Sequence, residues 1–103
     1  MLHVIVTMRI KEGRMPDFLA ACAALRPLVL QEPGCHAYDY TRDAESPFGS
    51  HPPVEADRIT LLERWESLDA LKAHMEAPHM KAAGPRMQEL RASVEVRLTE
   101  ALF

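Results

Sequence analysis

Cysteine appears only twice, at Cys22 and Cys35, too seldom for the disulfide framework that staples small exported domains. The chain therefore reads as reduced and cytoplasmic. Glycine appears four times, at positions 13, 34, 49 and 84, and neither a G-x-G-x-x-G run nor a P-loop occurs around them, so the phosphate cradle of flavin and nicotinamide sites is missing. No G-x-S-x-G elbow occurs, and Ser46, Ser50, Ser67 and Ser93 have no triad-like context. The cysteines have no evident activating neighbour beyond His36 next to Cys35, and neighbours on a strand point to opposite faces, so nucleophilic catalysis lacks support. A net charge of −3, with both signs interspersed, leaves no basic stripe for a phosphate backbone and excludes nucleic acid as an expected partner. Long hydrophobic runs are also missing. Met1 to Ile10 is apolar but holds His3 and Arg9 and passes straight into Lys11, Glu12 and Gly13, which is expected to be neither a signal peptide nor a membrane span.

What is present suffices for one domain with one core. The 103 residues are 48% hydrophobic, too short a chain for two cores. From Leu2 to Ile10 every even position is apolar and the odd ones carry His3, Ile5, Thr7 and Arg9, a period of two that predicts a strand. Met15, Phe18, Cys22, Leu25 and Leu28/Val29 then recur at threes and fours, predicting a helix over about 14–32 with a kink at Pro27. A second strand, "CHAYDYTR", places His36, Tyr38, Tyr40 and Arg42 on one face. Residues 43–56, with Pro47, Gly49, Pro52 and Pro53, predict a long loop of the kind that serves as a lid or interface segment. "DRITLLERW" is a third strand with Ile59, Leu61, Glu63 and Trp65 together on one side. Ser67 is a good N-cap for a helix carrying Leu68, Leu71 and Met75, which Pro78 ends. Met80, Ala83, Met87 and Leu90 continue the helical spacing beyond it, with Gly84-Pro85 marking a second expected break. Last, "SVEVRLTEAL" aligns Val94, Val96 and Leu98 on one face.

The order β-α-β-β-α-β predicts an α+β, ferredoxin-like split βαβ fold: a four-stranded antiparallel sheet with helices on one face. The first strand is apolar on its even face and partly so on its odd face, so the uncovered side of the sheet predicts a homodimer, sheet against sheet.

Two histidines, His74 and His79, flank the run "HMEAPH". Helical metal sites space histidines by four with a third ligand nearby; here the separation is five and Pro78 interrupts the helix, which argues against a metal. Two readings stay open: polar residues at a helix margin, or groups facing a small-molecule cavity in the seam between helices and sheet. His36, Tyr38 and Tyr40 on the second strand, and Glu63 and Trp65 on the third, are candidates for that seam. For Trp65 the alternative is ordinary core packing.

The runs "VIVTMRIKEGR", "EPGCHAY" and "LLERWESLDALKAHMEAPHMKA" resemble the antibiotic biosynthesis monooxygenase family, most closely its small quinol monooxygenase branch. The resemblance covers nearly the whole chain. It implies a dimeric α+β barrel and oxidation of a small quinol or polycyclic phenol by dioxygen with no metal, flavin or other cofactor. It further implies His74 or His79 as base or hydrogen-bond partner, Trp65 as ring wall, Arg86 as a stabiliser of anionic oxygen, and His36 and Tyr38 as secondary substrate contacts. Two alternatives come with the same family: an isomerase of a phosphorylated autoinducer-type metabolite, which shares the H-x-x-x-P-H run, and a non-catalytic, small-ligand-binding dimeric stress protein. Haem degradation is disfavoured, because the corresponding neighbourhoods hold Thr7, His74 and Ala83-Gly84.

Overall fold

A computed structural model describes all residues, 1–103. Seven elements follow in the order β1 (Leu2–Ile10), α1 (Met15–Leu30), β2 (Cys35–Arg42), β3 (Arg58–Trp65), α2 (Leu68–Glu76), α3 (Pro78–Leu90) and β4 (Arg91–Glu100). The strands form one antiparallel sheet in the order β2-β3-β1-β4, the ferredoxin-like arrangement. The helices lie on the face that carries Val4, Val6 and Met8, and the core is the layer between. On α1 the stripe Phe18, Cys22, Leu25 and Val29 is buried, one face of a 3.6-residue period. Trp65, Phe18, Leu90, His74 and Val29 are its most completely enclosed side chains.

Helix ends follow local chemistry. The Ser67 side chain accepts the Ala70 N–H at 3.1 Å and so starts α2. Ala77, preceding Pro78, is extended, as the residue before proline tends to be, and separates α2 from α3. The break expected at Pro85 does not occur: α3 runs unbroken to Leu90. Pro85 is exposed, as is Lys81 four residues before it, so the carbonyl that loses its donor is on the solvent side. Helix α1 likewise continues through the exposed Pro27 and ends at Leu30, two residues before the expected limit.

The sequence pattern on β2 needs one correction. A register shift between Cys35 and Ala37 sets Cys35 opposite Trp65 and Tyr38 opposite Glu63. A bulge leaves one residue out of the alternation, and that residue is His36, which is exposed and parts from the face it was expected to share with Tyr38.

Candidate functional site

Between α1 and β2 the chain turns through Gly34, whose φ of +84° suits glycine. A Cβ there would lie 2.7 Å from the Ala70 Cβ, so the start of α2 packs directly on this turn. The Gly34 carbonyl accepts the Glu66 N–H at 2.8 Å, fastening the turn to the end of β3. The consequence is that Glu32, in the turn, meets the last turn of α2. Its carboxylate oxygens lie 2.9 and 3.1 Å from His74 Nδ1, and one of them lies 2.8 Å from His79 Nε2 at the start of α3. Glu32 thus joins the two histidines of the "HMEAPH" run. Sequence reasoning did not single it out: a glutamate before Pro-Gly reads as turn polarity, and its presence within "EPGCHAY" was the only signal.

The two histidines are not equivalent. His74 is enclosed, its ring tilted against Trp65 with centroids 4.6 Å apart and edge-on to Tyr38 at 5.7 Å. With Nδ1–H given to a carboxylate, the neutral imidazole has Nε2 as its free acceptor. His79 stands nearer solvent and donates to the same carboxylate from Nε2.

His74 lines a cavity of about 460 Å³ between the helices and the sheet. Val4, Val6, Met8, Leu61, Val94, Val96 and Leu98 form its floor; Phe18, Leu25, Leu71, Met80 and Met87 roof it. Tyr38, Tyr40, Glu63, Lys81 and Arg91 add polar atoms to this apolar lining, in keeping with a site for a small organic molecule. Trp65 is not one of its walls. The indole is fully buried behind His74 and donates its Nε1–H to Glu63 Oε1 at 2.9 Å, so it fixes two polar groups of the cavity without reaching it. Burial raises the Glu63 carboxyl above the ordinary range, opposed by the Trp65 hydrogen bond and by His74. Burial likewise raises both phenols, Tyr38 and Tyr40, so they face a ligand as neutral hydroxyls.

The other expected residues fall outside. His36 is exposed on the bulge, and Arg86 extends along the surface of α3 toward Glu89 (3.4 Å) and Asp17 (4.0 Å). No residue of the 43–56 loop lines the cavity; Asp43 instead holds Arg58 across the base of the loop, accepting from its Nε at 3.0 and 3.1 Å and from its Nη2 at 2.5 Å. The histidine, cysteine and carboxylate side chains form no cluster of three or more with metal-binding geometry. No helix is long and apolar enough to cross a membrane.

Comparison with known proteins agrees with this architecture. Over 84 residues, 80% of each chain, the sequence is 38% identical to a protein of Escherichia coli K12 named as the probable quinol monooxygenase YgiN. A crystal structure described as an antibiotic biosynthesis monooxygenase superposes with a TM-score of 0.82 at 26% identity, covering 99% of both chains. The fold is also that of Rv0793 from Mycobacterium tuberculosis, with a TM-score of 0.83 at 23% identity over 99% of this chain and 95% of that one. The family described as antibiotic biosynthesis monooxygenase matches residues 1–86, more than four-fifths of the sequence, and the chain belongs to that family.

Proposed function

We propose that the protein is a cofactor-independent monooxygenase that oxidises a small quinol or phenolic aromatic with dioxygen, with His74 as base. The observation that carries this reading is the Glu32 carboxylate against His74 Nδ1, which selects the tautomer with a free Nε2 in a chain whose cavity is otherwise mostly apolar. His74 takes the proton of a substrate hydroxyl, and Glu32 stabilises the imidazolium that results. The phenolate is electron-rich enough to reduce dioxygen itself. Oxygen adds at a ring carbon bearing hydrogen, ortho or para to the oxyanion, and the hydroperoxide so formed loses water to leave a new carbonyl. One oxygen atom stays on the ring, the other departs as water with the two substrate hydrogens, and the substrate supplies all four electrons. His79 is a positioning residue, holding Glu32 from the far side, and Trp65 fixes the plane of the His74 ring. The quinol monooxygenase named among the relatives supports a quinol as the substrate class.

A homodimer belongs to the same reading. Its support is a second sheet face that no element of the chain covers, with Ile5 opposite Leu62 at its centre; a one-chain mass in solution at micromolar concentration would overturn it.

The test of the catalytic reading is dioxygen uptake over a panel of reduced naphthoquinols and phenols, corrected for autoxidation. His74→Ala should lower kcat by roughly 10²–10⁴-fold, the usual contribution of a general base. Glu32→Gln should lower it by roughly 10–100-fold, as loss of an orienting partner does at comparable sites, and His79→Ala by less. An unchanged rate in His74→Ala removes it from the mechanism.

A further inference from the structure

Besides the two phenols of β2, Tyr38 and Tyr40, four charged or titratable side chains face the cavity, one from each of four elements: Glu63 on β3, His74 on α2, Lys81 on α3 and Arg91 on β4. Three of them are already engaged. Glu63 accepts from Trp65, His74 is held by Glu32, and Lys81 extends to Glu76 at 2.7 Å on the exposed side of the helices. Arg91 differs from all three. No carboxylate lies within ion-pair distance of its guanidinium; Nη1 meets only the Met8 sulfur, at 3.8 Å, and Nε is shut off from solvent without any acceptor. A thioether is a weak acceptor, so this half-buried cation has no ionic partner and its enclosed Nε has no acceptor at all.

The backbone shows that this placement is built in. Along β4, Val94, Val96 and Leu98 pair with Met8, Val6 and Val4 on the helix side of the sheet. Plain alternation from Val94 would put Ala92 on that face and Arg91 on the opposite one, away from the cavity. The ladder instead shifts between Arg9 and Ile10, so that Ile10 pairs with Arg91, and Arg91 turns toward the cavity. Such bulges re-aim side chains and are frequent beside functional sites. The strand follows α3 without a linking loop: Arg91 itself caps the helix, its N–H bonded to the Met87 carbonyl, so helix end and bulge together fix where the side chain begins.

From the orphaned guanidinium and the bulge that directs it, we propose that Arg91 is the anion-binding group of the cavity and that the ligand is an aromatic molecule carrying an anionic oxygen substituent, a carboxylate or an ionised hydroxyl. This deepens the oxygenase reading and rests on it for the reaction, but not for the binding. The anionic group sits against Arg91 near the Met8 row of the sheet. The hydroxyl that reacts sits near His74, beside the Tyr38 and Glu63 row that pairs with Val4. Four residues of β1 separate these rows, about 13 Å at strand rise, and the apolar floor between them takes the ring system. A charge-assisted hydrogen bond to an anion is roughly twice as strong as a neutral one, so the substituent decides which end of the ring enters first.

The experiment is calorimetric titration of the full chain with 2-naphthoate and its neutral counterpart 2-naphthamide, neither of which can be turned over by the proposed chemistry. The parent should bind the carboxylate at least about 10-fold more tightly than the amide, as expected for a hydrogen bond to a charged group worth roughly 1.5–3 kcal/mol. Arg91→Met should bind both equally, Arg91→Lys should keep part of the preference, and the melting temperature of Arg91→Met should be no lower than that of the parent. Equal affinities in the parent, no binding of either compound, or an undiminished preference in Arg91→Met would each overturn the proposal. A preference present without dioxygen uptake on the quinol panel would uphold the anion site while removing the oxygenase reading, so the two failures are told apart.

Discussion

Two rows of side chains lie next to each other on the same face of the sheet and have opposite fates. Val4, Val6 and Met8 on β1 are 3%, 7% and 3% exposed, while Leu98, Val96 and Val94, their partners on β4, are 50%, 55% and 48% exposed. Their hydrophobicity is alike, so the difference comes from the roof. Helices α1, α2 and α3 cover β2, β3 and β1, and the β4 row is left as an open wall of the cavity. The closed side holds the fold together and carries the Glu32–His74–Trp65–Glu63 group; the open side offers apolar area to a ligand and places Arg91 at its end.

The largest effect belongs to the closed side. Trp65→Ala should cost about 3–5 kcal/mol in urea unfolding, the usual range for removing a buried aromatic, and should lower turnover because His74 loses the ring it rests on. A loss below about 1 kcal/mol, typical of surface positions, would break the contrast. A finer comparison uses the two partners Val6 and Val96. Val6→Ala should cost about 2 kcal/mol from lost burial and the cavity left behind, whereas Val96→Ala should cost under about 1 kcal/mol and act mainly on substrate KM. Equal losses would mean that β4 is as deeply covered as β1.

The smallest expected effect concerns charge within the closed side. Burial raises the Glu63 carboxyl, so folding favours its protonated form. That contribution is complete below the ordinary carboxylate range and is lost as pH rises through the raised folded-state value. At pH 7 the buried carboxylate is therefore a cost that a neutral amide does not carry. Glu63→Gln, which keeps an acceptor for the Trp65 N–H, should melt at a higher temperature than the parent at pH 7, with the gap closing near about pH 4, where an ordinary glutamate is mostly protonated. A lower melting temperature at pH 7 would show that the ionised form is the one the fold prefers.

Most of the fold was legible because hydrophobic period is a local signal. The even positions of β1, the threes and fours of α1, and the alternation of β3 could be read directly, and with elements in the order β-α-β-β-α-β few topologies remain. The candidate site was legible in part. The strand periods grouped Glu63 with Leu61 and Tyr38 with Tyr40, and the structure turns these faces and His74 toward the helix side. His36 and Arg91 were misread or missed for one shared reason: each lies at a register shift, and a bulge breaks the alternation by which a strand face is inferred. Arg86, which the family resemblance implied as a stabiliser of anionic oxygen, is turned by its position on α3 toward Asp17 and Glu89 on the surface.

By itself, the amino-acid sequence determined the order and kind of elements and which residues share a face on β1, α1 and β3, since these depend on residue type and near-neighbour spacing. Only the tertiary structure decided that Glu32 joins His74 to His79 across 42 and 47 residues, that Trp65 supports the cavity from behind, and that Arg91 alone among the cations there has no partner. Each of these depends on where separate elements meet. That is set by the Gly34 turn beneath α2, the bulge opposite Ile10 and the reach of the helices over three strands of the four, none of which has a period that a sequence could display.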